Sequence, residues 1–365
     1  MTIAVPAELE DALYAAVGAI APAQLARAVV DRSRRYTSER DRLADAPPGD
    51  LAARALFFTV CDAMKLAIPL GELARRGALP AARPLRIVDL GAGCGAMTLG
   101  AMVALRVEQL ALHVTAIDRD AAALGIARKA ITTLARSRGI SCELVTQTGD
   151  VASSPIPRAD LVVMGSVLNE LAPAARLAIV ERALAAIGDD GAVIIVEPAL
   201  RDTARPLHEL RDAIITRGSG HVFAPCTRRG TPCTALVDER DWCHEDRHLV
   251  LPPRTAELAR RTHLRDSGMK FAYVVLRRQP RALVDDPDAW RIVSAPMPAK
   301  GKLELIGCGE RGRVTLRLLK RHRADCNRPF ERADRGDVVT ATAPIADGRV
   351  ELVDDTQVAR VLERE

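Results

Sequence analysis

The sequence predicts an α/β chain built on a doubly wound parallel sheet, and three observations carry that reading. From Leu85 onward, short apolar runs alternate with amphipathic stretches, the rhythm of strands crossed by helices. The first run, LRIVDL, passes directly into GAGCGA, a glycine-rich turn between a strand and a helix. Hydrophobic residues make up 48% of the chain but aromatics only 3%, so the interior must be packed from Ala, Val, Leu and Ile, which suits helices over a parallel sheet.

In chain order, residues 1–82 read as an N-terminal helical region. LEDALYAAVGAI and AARALFFTVCDAMKLA have apolar residues at helical spacing, and the Pro-containing GALPAARP stops the run. Residues 83–284 read as the α/β domain. Its five buried strands are expected at LRIVDL, HVTAID, CELVTQ, ADLVVMGSVL and GAVIIVEPA, with AMTLGAMVALRVEQL, AAALGIARKAITTLARSR and AARLAIVERALAAI as helices between them. A helix over PLHELRDAIITR then leads into a cysteine-bearing insertion at 218–248, TAELARRTHL is helical again, and KFAYVVLRR is a late strand expected to close the sheet. From 285 to 365, WRIVSAP, KLELIGCGE, GRVTLRLLKR, DVVTATA and RVELV are short alternating strands with Gly and Pro turns, the pattern of a small OB-like β-barrel.

The opening residues carry no basic segment leading into an uninterrupted apolar run, so no secretory leader is expected. ALFFTVCDAMKLAIPL, the most apolar stretch, is broken by Asp62 and Lys65 and does not suit a bilayer. A cytoplasmic protein without a membrane partner is therefore expected, and in a reducing compartment its eight cysteines read as metal ligands or small buried hydrophobes, not as disulfides. The net charge is +5 but unevenly placed. Between Arg254 and Arg328 there are eighteen Lys or Arg against eight Asp or Glu, an asymmetry that points to a polyanion-facing surface.

IVDLGAGCGA sets Gly91, Gly93 and Gly95 between a strand and a helix whose free amides point at the same spot. The spacing also satisfies G-x-G-x-x-G/A, so glycines alone do not separate a nicotinamide dinucleotide from S-adenosylmethionine. Three acids at strand ends favour the methyl donor: Asp89 inside the first, Asp118 closing the second and Asp150 closing the third. Such carboxylates suit the cofactor's ammonium, its ribose hydroxyls and its adenine edge. With Ala92, Arg119 and Val151 beside them, and Ser166 and Asn169 after the fourth strand, these are the candidate cofactor residues. Cys94 reads as a small filler. Over residues 85–200 the arrangement resembles the Rossmann-like S-adenosylmethionine-dependent methyltransferases with a seven-stranded sheet.

Chemistry in such a sheet collects beyond the carboxyl ends of the strands, here MGSVLNEL and VEPAL. Asn169, Glu170 and Glu197 are the catalytic candidates, and helix-capping is the competing role for the first two. Neither peptide holds the Asn-Pro-Pro-Tyr box of an amino methylase or the Pro-Cys or Thr-Cys pair of a cytosine-carbon methylase. Methyl transfer asks for little beyond alignment and a proton acceptor, so cofactor binding with or without turnover both fit.

Cys226, Cys233 and Cys243 lie in APCTRRGTPCTALVDERDWCHEDR, a polar, turn-rich stretch where free cysteine is out of place as a core residue. Metal ligation is the better account. The spacings exceed those of a zinc ribbon, and a fourth ligand must come from elsewhere: His244, Cys308 and Cys326 are the candidates. Four thiolates suit zinc or an iron–sulfur cluster alike. Cys61 and Cys142 sit in apolar periodic segments and read as inert.

PC-x6-C, the following DWCH, and then KFAY closely resemble the methyltransferase-like family associated with the mitochondrial small ribosomal subunit and its bacterial relatives. The likeness extends from the glycine loop through the late strand. It implies S-adenosylmethionine binding, a four-cysteine [4Fe–4S] site on Cys226, Cys233, Cys243 and Cys308, and a role with the small ribosomal subunit and its rRNA. Departures are Thr227 and Thr234, where the family usually has proline after the first two cysteines, and Glu245, where it has an aromatic. An rRNA methyltransferase or a methyltransferase-like assembly factor is thus the expected function. The alternatives are a metal-containing NAD-type oxidoreductase and a small-molecule methyltransferase. The cluster would orient an RNA-contacting platform, with Arg311, Arg313, Arg317, Lys320, Arg321 and Arg323 supplying phosphate contacts.

Overall fold

The computed structural model describes residues 2–38, 49–105, 110–228, 230–265 and 268–362. Parts of two expected helical stretches, 39–48 and 106–109, lie outside the described residues. The chain divides into two units: residues 2–197 with 247–269, and residues 198–246 with 270–365.

The first unit opens on helices α1 (Ala7–Val17) and α2 (Pro22–Ser38), then a helical run over 50–75. That run is not one regular helix: Arg54–Thr59 is a π-helical turn and Met64–Leu66 a 3-10 turn. The α/β core follows as β1 (Leu85–Leu90), α3 (Ala96–Ala104), β2 (Ala111–Asp118), α4 (Ala121–Ser137), β3 (Ser141–Thr148), β4 (Ala159–Gly165), α5 (Pro173–Ala186) and β5 (Ile187–Pro198). These five strands are the five expected ones. They run parallel in the order β3-β2-β1-β4-β5, so the order reverses between β1 and β4, and the glycine loop that leaves β1 stands at the switch point where such sheets bind ligands. β4 is buried at Ala159–Met164 and β5 over Gly191–Val196, as strands covered on both faces must be, whereas β3 at the sheet's edge is largely open. Ile3–Ala4 pairs in parallel with Leu249–Val250, a short link the apolar patterns do not foretell. No single helix among the described residues is long and apolar enough to cross a membrane.

In the second unit come α6 (Arg201–Arg217), β6 (His221–Ala224) and β7 (Met269–Arg277), the last two antiparallel. α7 (Pro253–Thr262) belongs to the first unit. After residue 285 come β8 (Ala289–Ile292), β9 (Met297–Ala299), β10 (Lys302–Gly309), β11 (Gly312–Leu319), β12 (Val338–Ala341), β13 (Ile345–Ala346), β14 (Arg349–Leu352) and β15 (Val358–Leu362). They form one sheet in the order β13-β14-β11-β10-β8-β12-β15, with β9 beside β10. The expected small barrel is therefore a curled half-barrel: among the described residues its end strands do not pair. The 3-10 stretch Asp325–Arg332 packs on β15 and puts Phe330 into the core with Trp290, Leu316 and Val350, a plug that replaces closure by strand pairing.

Gly100 on α3 marks how tightly the first unit is packed: a Cβ there would collide with the carbonyl oxygen of Ala63. In an open helix Gly→Ala gains about 1 kcal/mol. Here Gly100→Ala is expected to cost about 1–3 kcal/mol by overpacking, read as a lowered melting temperature; an unchanged or raised one contradicts the packing described.

Candidate functional site

The switch point is assembled from backbone amides and buried carboxylates. Gly91, Gly93 and Gly95 all take positive φ, which side chains resist. Their faces differ in use. A Cβ on Gly91 would strike Val167, and one on Gly95 would press on Ala127 and Ile131 of α4. On Gly93 it would point at Arg54 Nη2, 3.1 Å away, and Asp118 Oδ2, 4.0 Å away. The second glycine thus fronts two charged side chains, while the third allows close helix packing.

Asp118 shapes the loop directly, since Gly93 N–H donates to its Oδ2 at 2.8 Å and Asp120 N–H to its Oδ1 at 2.8 Å. Asp89 is fully buried; its Oδ2 accepts from Thr98 N–H at 3.1 Å and Thr98 Oγ1 at 2.7 Å, and its Oδ1 has no hydrogen-bond partner among the described residues. Burial lifts the Asp89 carboxyl to about 6, against the two bonds from Thr98. Gly149 N–H donates to the Asp118 carbonyl at 3.0 Å, bringing the turn of Asp150 and Val151 alongside, and Asp150 Oδ1 accepts from Ala152 N–H at 2.8 Å.

At the fourth and fifth strand ends the catalytic candidates separate. Glu197 is buried and accepts from Leu168 N–H at 2.9 Å and Asn169 Nδ2 at 2.7 Å, so both residues hold the turn after β4. Burial raises the Glu197 carboxyl to about 7, opposed by the bonds from Asn169 and Leu168. Ser166 takes φ +59°, a left-handed conformation uncommon outside glycine, and its N–H donates to Val196 O at 2.8 Å. Glu170 does not join that pair: burial raises its carboxyl, while Arg119, Arg54 and Arg32 pull it down, and Arg119 Nη2 lies 3.4 Å from its Oε2. The sequence-predicted cofactor residues are thus gathered around one loop. Arg54, on a helical run read only for its apolar spacing, was not among them.

The second unit gathers the cysteines. Cys226, Cys233, Cys243 and Cys308 all line one cavity of about 60 Å³, several times the roughly 10–15 Å³ that one water-sized sphere needs. Cys308 comes from β10, where Gly307 and Gly309 pack against Trp290, so strand alternation sends the cysteine to the opposite face. Cys326 lies elsewhere, its Sγ 3.1 Å from Asp354 O, and His244 lines the cavity with its ring stacked on Trp242. Burial raises the thiols: Cys233 to about 12 and Cys243 well above its ordinary value, in both cases helped by neighbouring cysteines. Burial also raises Cys308, against a hydrogen bond with Thr234. Among the described residues no three His, Cys, Asp or Glu are placed to hold a single metal ion.

Helix α6 grips the cysteine loop with a polar stripe at helical spacing. Arg205 donates to the carbonyls of Asp238 and Asp241, both at 2.8 Å. His208 Nε2 lies 3.0 Å from the Cys243 carbonyl oxygen and 3.2 Å from its N–H, and burial lowers His208 to about 4, so the ring is neutral. Arg211 donates to Thr231 O at 2.6 Å and Arg228 O at 2.9 Å, while Cys233 N–H donates to Asp212 Oδ2 at 2.9 Å. The signal for these residues was a helix with polar groups on the face that must be buried. The three departures also find partners. Thr227 Oγ1 donates to Cys308 O at 3.0 Å, Thr234 Oγ1 lies 3.5 Å from Cys308 Sγ, and Glu245 pairs with Arg291 at 2.7 Å in the interior.

The expected phosphate contacts are largely engaged. Arg311 pairs with Asp288, Arg313 with Asp241, Arg317 with Glu351 and Arg323 with Glu331. Lys320 and Arg321 have no acidic partner among the described residues.

Residues 64–340 match the model of the family described as Mitochondrial small ribosomal subunit Rsm22, and the chain belongs to that family. No curated protein sequence matches it. Among solved structures it is similar to the magnesium protoporphyrin IX methyltransferase ChlM of Synechocystis PCC 6803 with bound SAM, at 12% identity over 72% of this chain and 99% of that one, with a TM-score of 0.37. It is also similar to the plantazolicin methyltransferase BpumL in complex with SAH, at 12% identity over 70% and 96%, TM-score 0.38. TrmN of Thermus thermophilus shares 23% identity over 38% of this chain and 42% of that one, TM-score 0.28. The strand order, with the glycine loop at its switch point, makes the fold Rossmann-like.

The raised carboxyl of Glu197 has a pH signature. A carboxyl at about 7 in the folded chain against 4.5 unfolded keeps its proton longer when folded, so the contribution of Glu197 to stability is fully present below 4.5 and is lost as pH rises through about 7. The span amounts to ~3 kcal/mol. Glu197→Gln is expected to flatten the melting temperature between pH 5 and 7 relative to wild type; parallel pH profiles for the two proteins refute the shift.

Proposed function

We propose that this member of the family binds S-adenosylmethionine at the Gly91–Gly95 loop, carries a [4Fe–4S] cluster on Cys226, Cys233, Cys243 and Cys308, and works with the small ribosomal subunit and its rRNA. The observation that carries the reading is that Cys308, far along the chain, meets the three loop cysteines around one cavity. Four soft thiols are the donor set of a cluster or of zinc. The shared cavity is several times larger than one water-sized sphere needs, and its four thiols would be the residues that hold the cluster. The unpartnered Asp89 Oδ1 and the open face of Gly93 support the cofactor, which when bound supplies an electrophilic methyl group.

The chain's own residues bind and orient. The loop amides and α3 set the cofactor's place, Asp118 holds the loop, and the Glu197–Asn169 pair fixes the turn that borders it. With Glu197 and Asn169 bonded to each other, Glu170, whose side chain is exposed beside Arg119, is our candidate proton acceptor for methyl transfer. The setting is the compartment where small subunits are built, the mitochondrion in the family's description and the cytoplasm in the sequence reading.

Anaerobically purified protein is expected to be brown, with iron and sulfide near four each per chain, and Cys308→Ser to lose both along with thermal stability. Colourless protein with stoichiometric zinc refutes the cluster. Small-subunit RNA is expected to co-purify with the chain, bound with salt-dependent affinity. Labelled methyl transfer to isolated small subunits, lost on the order of 10²-fold in Glu170→Gln, identifies an enzyme; binding without transfer identifies an assembly factor.

A further inference from the structure

We infer that Arg54 binds the carboxylate at the amino-acid end of S-adenosylmethionine, an inference that rests on the cofactor site proposed above. Arg54 opens the π-helical turn Arg54–Thr59, a local departure from the regular helix of the kind that recurs at functional sites. Its Nη1 donates to Asp120 Oδ2 at 2.6 Å, which anchors the guanidinium beside the N-terminus of α4. Its Nη2 stands over Gly93, 3.1 Å from where a side chain on that glycine would begin, and donates to no acceptor among the described residues. A planar fork with one prong anchored and the other held over a bare loop is preorganised for a carboxylate. The other arginines nearby are directed elsewhere: Arg32 and Arg35 converge on Asp50, and Arg119 on Glu170.

The charge balance selects the ligand's chemistry. Asp118 Oδ2 and the unpartnered Asp89 Oδ1 border the same loop. A pyrophosphate laid on Gly93 would bring two negative charges against one guanidinium and those acids. A zwitterionic amino acid brings one carboxylate for Arg54 and one ammonium for the acids, so the site matches a nucleoside with an amino-acid tail better than a dinucleotide.

The test is calorimetric titration of the full chain with three nucleosides: S-adenosylhomocysteine, 5′-methylthioadenosine, which keeps the thioether nucleoside and lacks the amino-acid end, and NAD. Wild type is expected to prefer S-adenosylhomocysteine. Arg54→Ala is expected to weaken it about ten- to hundredfold, the loss of one charge-assisted contact, and to leave methylthioadenosine within about twofold. Retained methylthioadenosine binding also shows that the variant is folded. Should Arg54→Ala fail to fold, Arg54→Gln, which keeps a donor for Asp120, carries the same expectation. A variant that binds both nucleosides with the wild-type preference overturns the inference and leaves the cofactor reading standing. A wild type that binds neither nucleoside, or binds NAD in their place, overturns both.

Discussion

Buried carboxylates that accept from loop amides are the constraint on which the switch point depends. A parallel sheet delivers its strand ends to one edge, where each chain must turn and leave backbone N–H groups without ladder partners. Asp89 answers Thr98, Asp118 answers Gly93 and Asp120, and Glu197 answers Leu168. Each acid sits at the end of its own strand, so the sheet itself sets where the loops close. The cost is desolvation, visible in the raised carboxyls of Asp89 and Glu197, and it falls on the edge where a cationic ligand would relieve it. Asp89 differs from Glu197 in one respect: both oxygens of Glu197 are engaged, while one oxygen of Asp89 is not.

The cysteine loop solves a different problem. It has little regular structure of its own, so its carbonyls and amides need partners from outside, and α6 provides them through Arg205, His208, Arg211 and Asp212. The same logic accounts for the departures from the family pattern. Proline stiffens a turn through its ring; Thr227 instead fastens the loop by donating a hydrogen bond to the Cys308 carbonyl, and the Thr234 hydroxyl lies against the Cys308 sulfur. Glu245 puts a charge in the interior where an aromatic is usual, and Arg291 on β8 answers it, with Tyr273 completing the fork. A lone exchange at either end of that pair would leave a buried charge without its partner.

What was legible in the sequence followed periodicity and motif. The five strands, the glycine loop and the helices between them announce themselves through runs of Val, Ile and Leu and through turns that only glycine makes easily. Cys308 was placed by family likeness, and its position between Gly307 and Gly309 supplies the physical cause. What escaped was long-range. Arg54 lies in a segment whose apolar spacing describes its buried side, and nothing in that spacing says which polar residue crosses to a loop some forty residues on. The half-barrel escaped for a related reason: alternation identifies strands but does not say which pair, and Phe330 sits in a stretch with no strand pattern at all.

Charge shows the same limit from another side. A surplus of basic residues between Arg254 and Arg328 suggested a phosphate platform, yet four of the six residues named for it are paired with acids close by. Arg311 also lies over the Trp290 ring at 5.1 Å, and Arg313 lines the cysteine cavity, so these two help build the unit that carries them. Arg317 is half-buried and holds Glu351 through two guanidinium nitrogens, whereas Arg323 is exposed, and such an ion pair contributes only about 0–1 kcal/mol and exchanges partners at little cost. A polyanion arriving at these residues would therefore meet Lys320 and Arg321 first and recruit Arg323 by displacing Glu331. Such an exchange releases fewer counterions than a bare arginine would, so the salt dependence of any RNA affinity is shallower than the count of basic residues suggests.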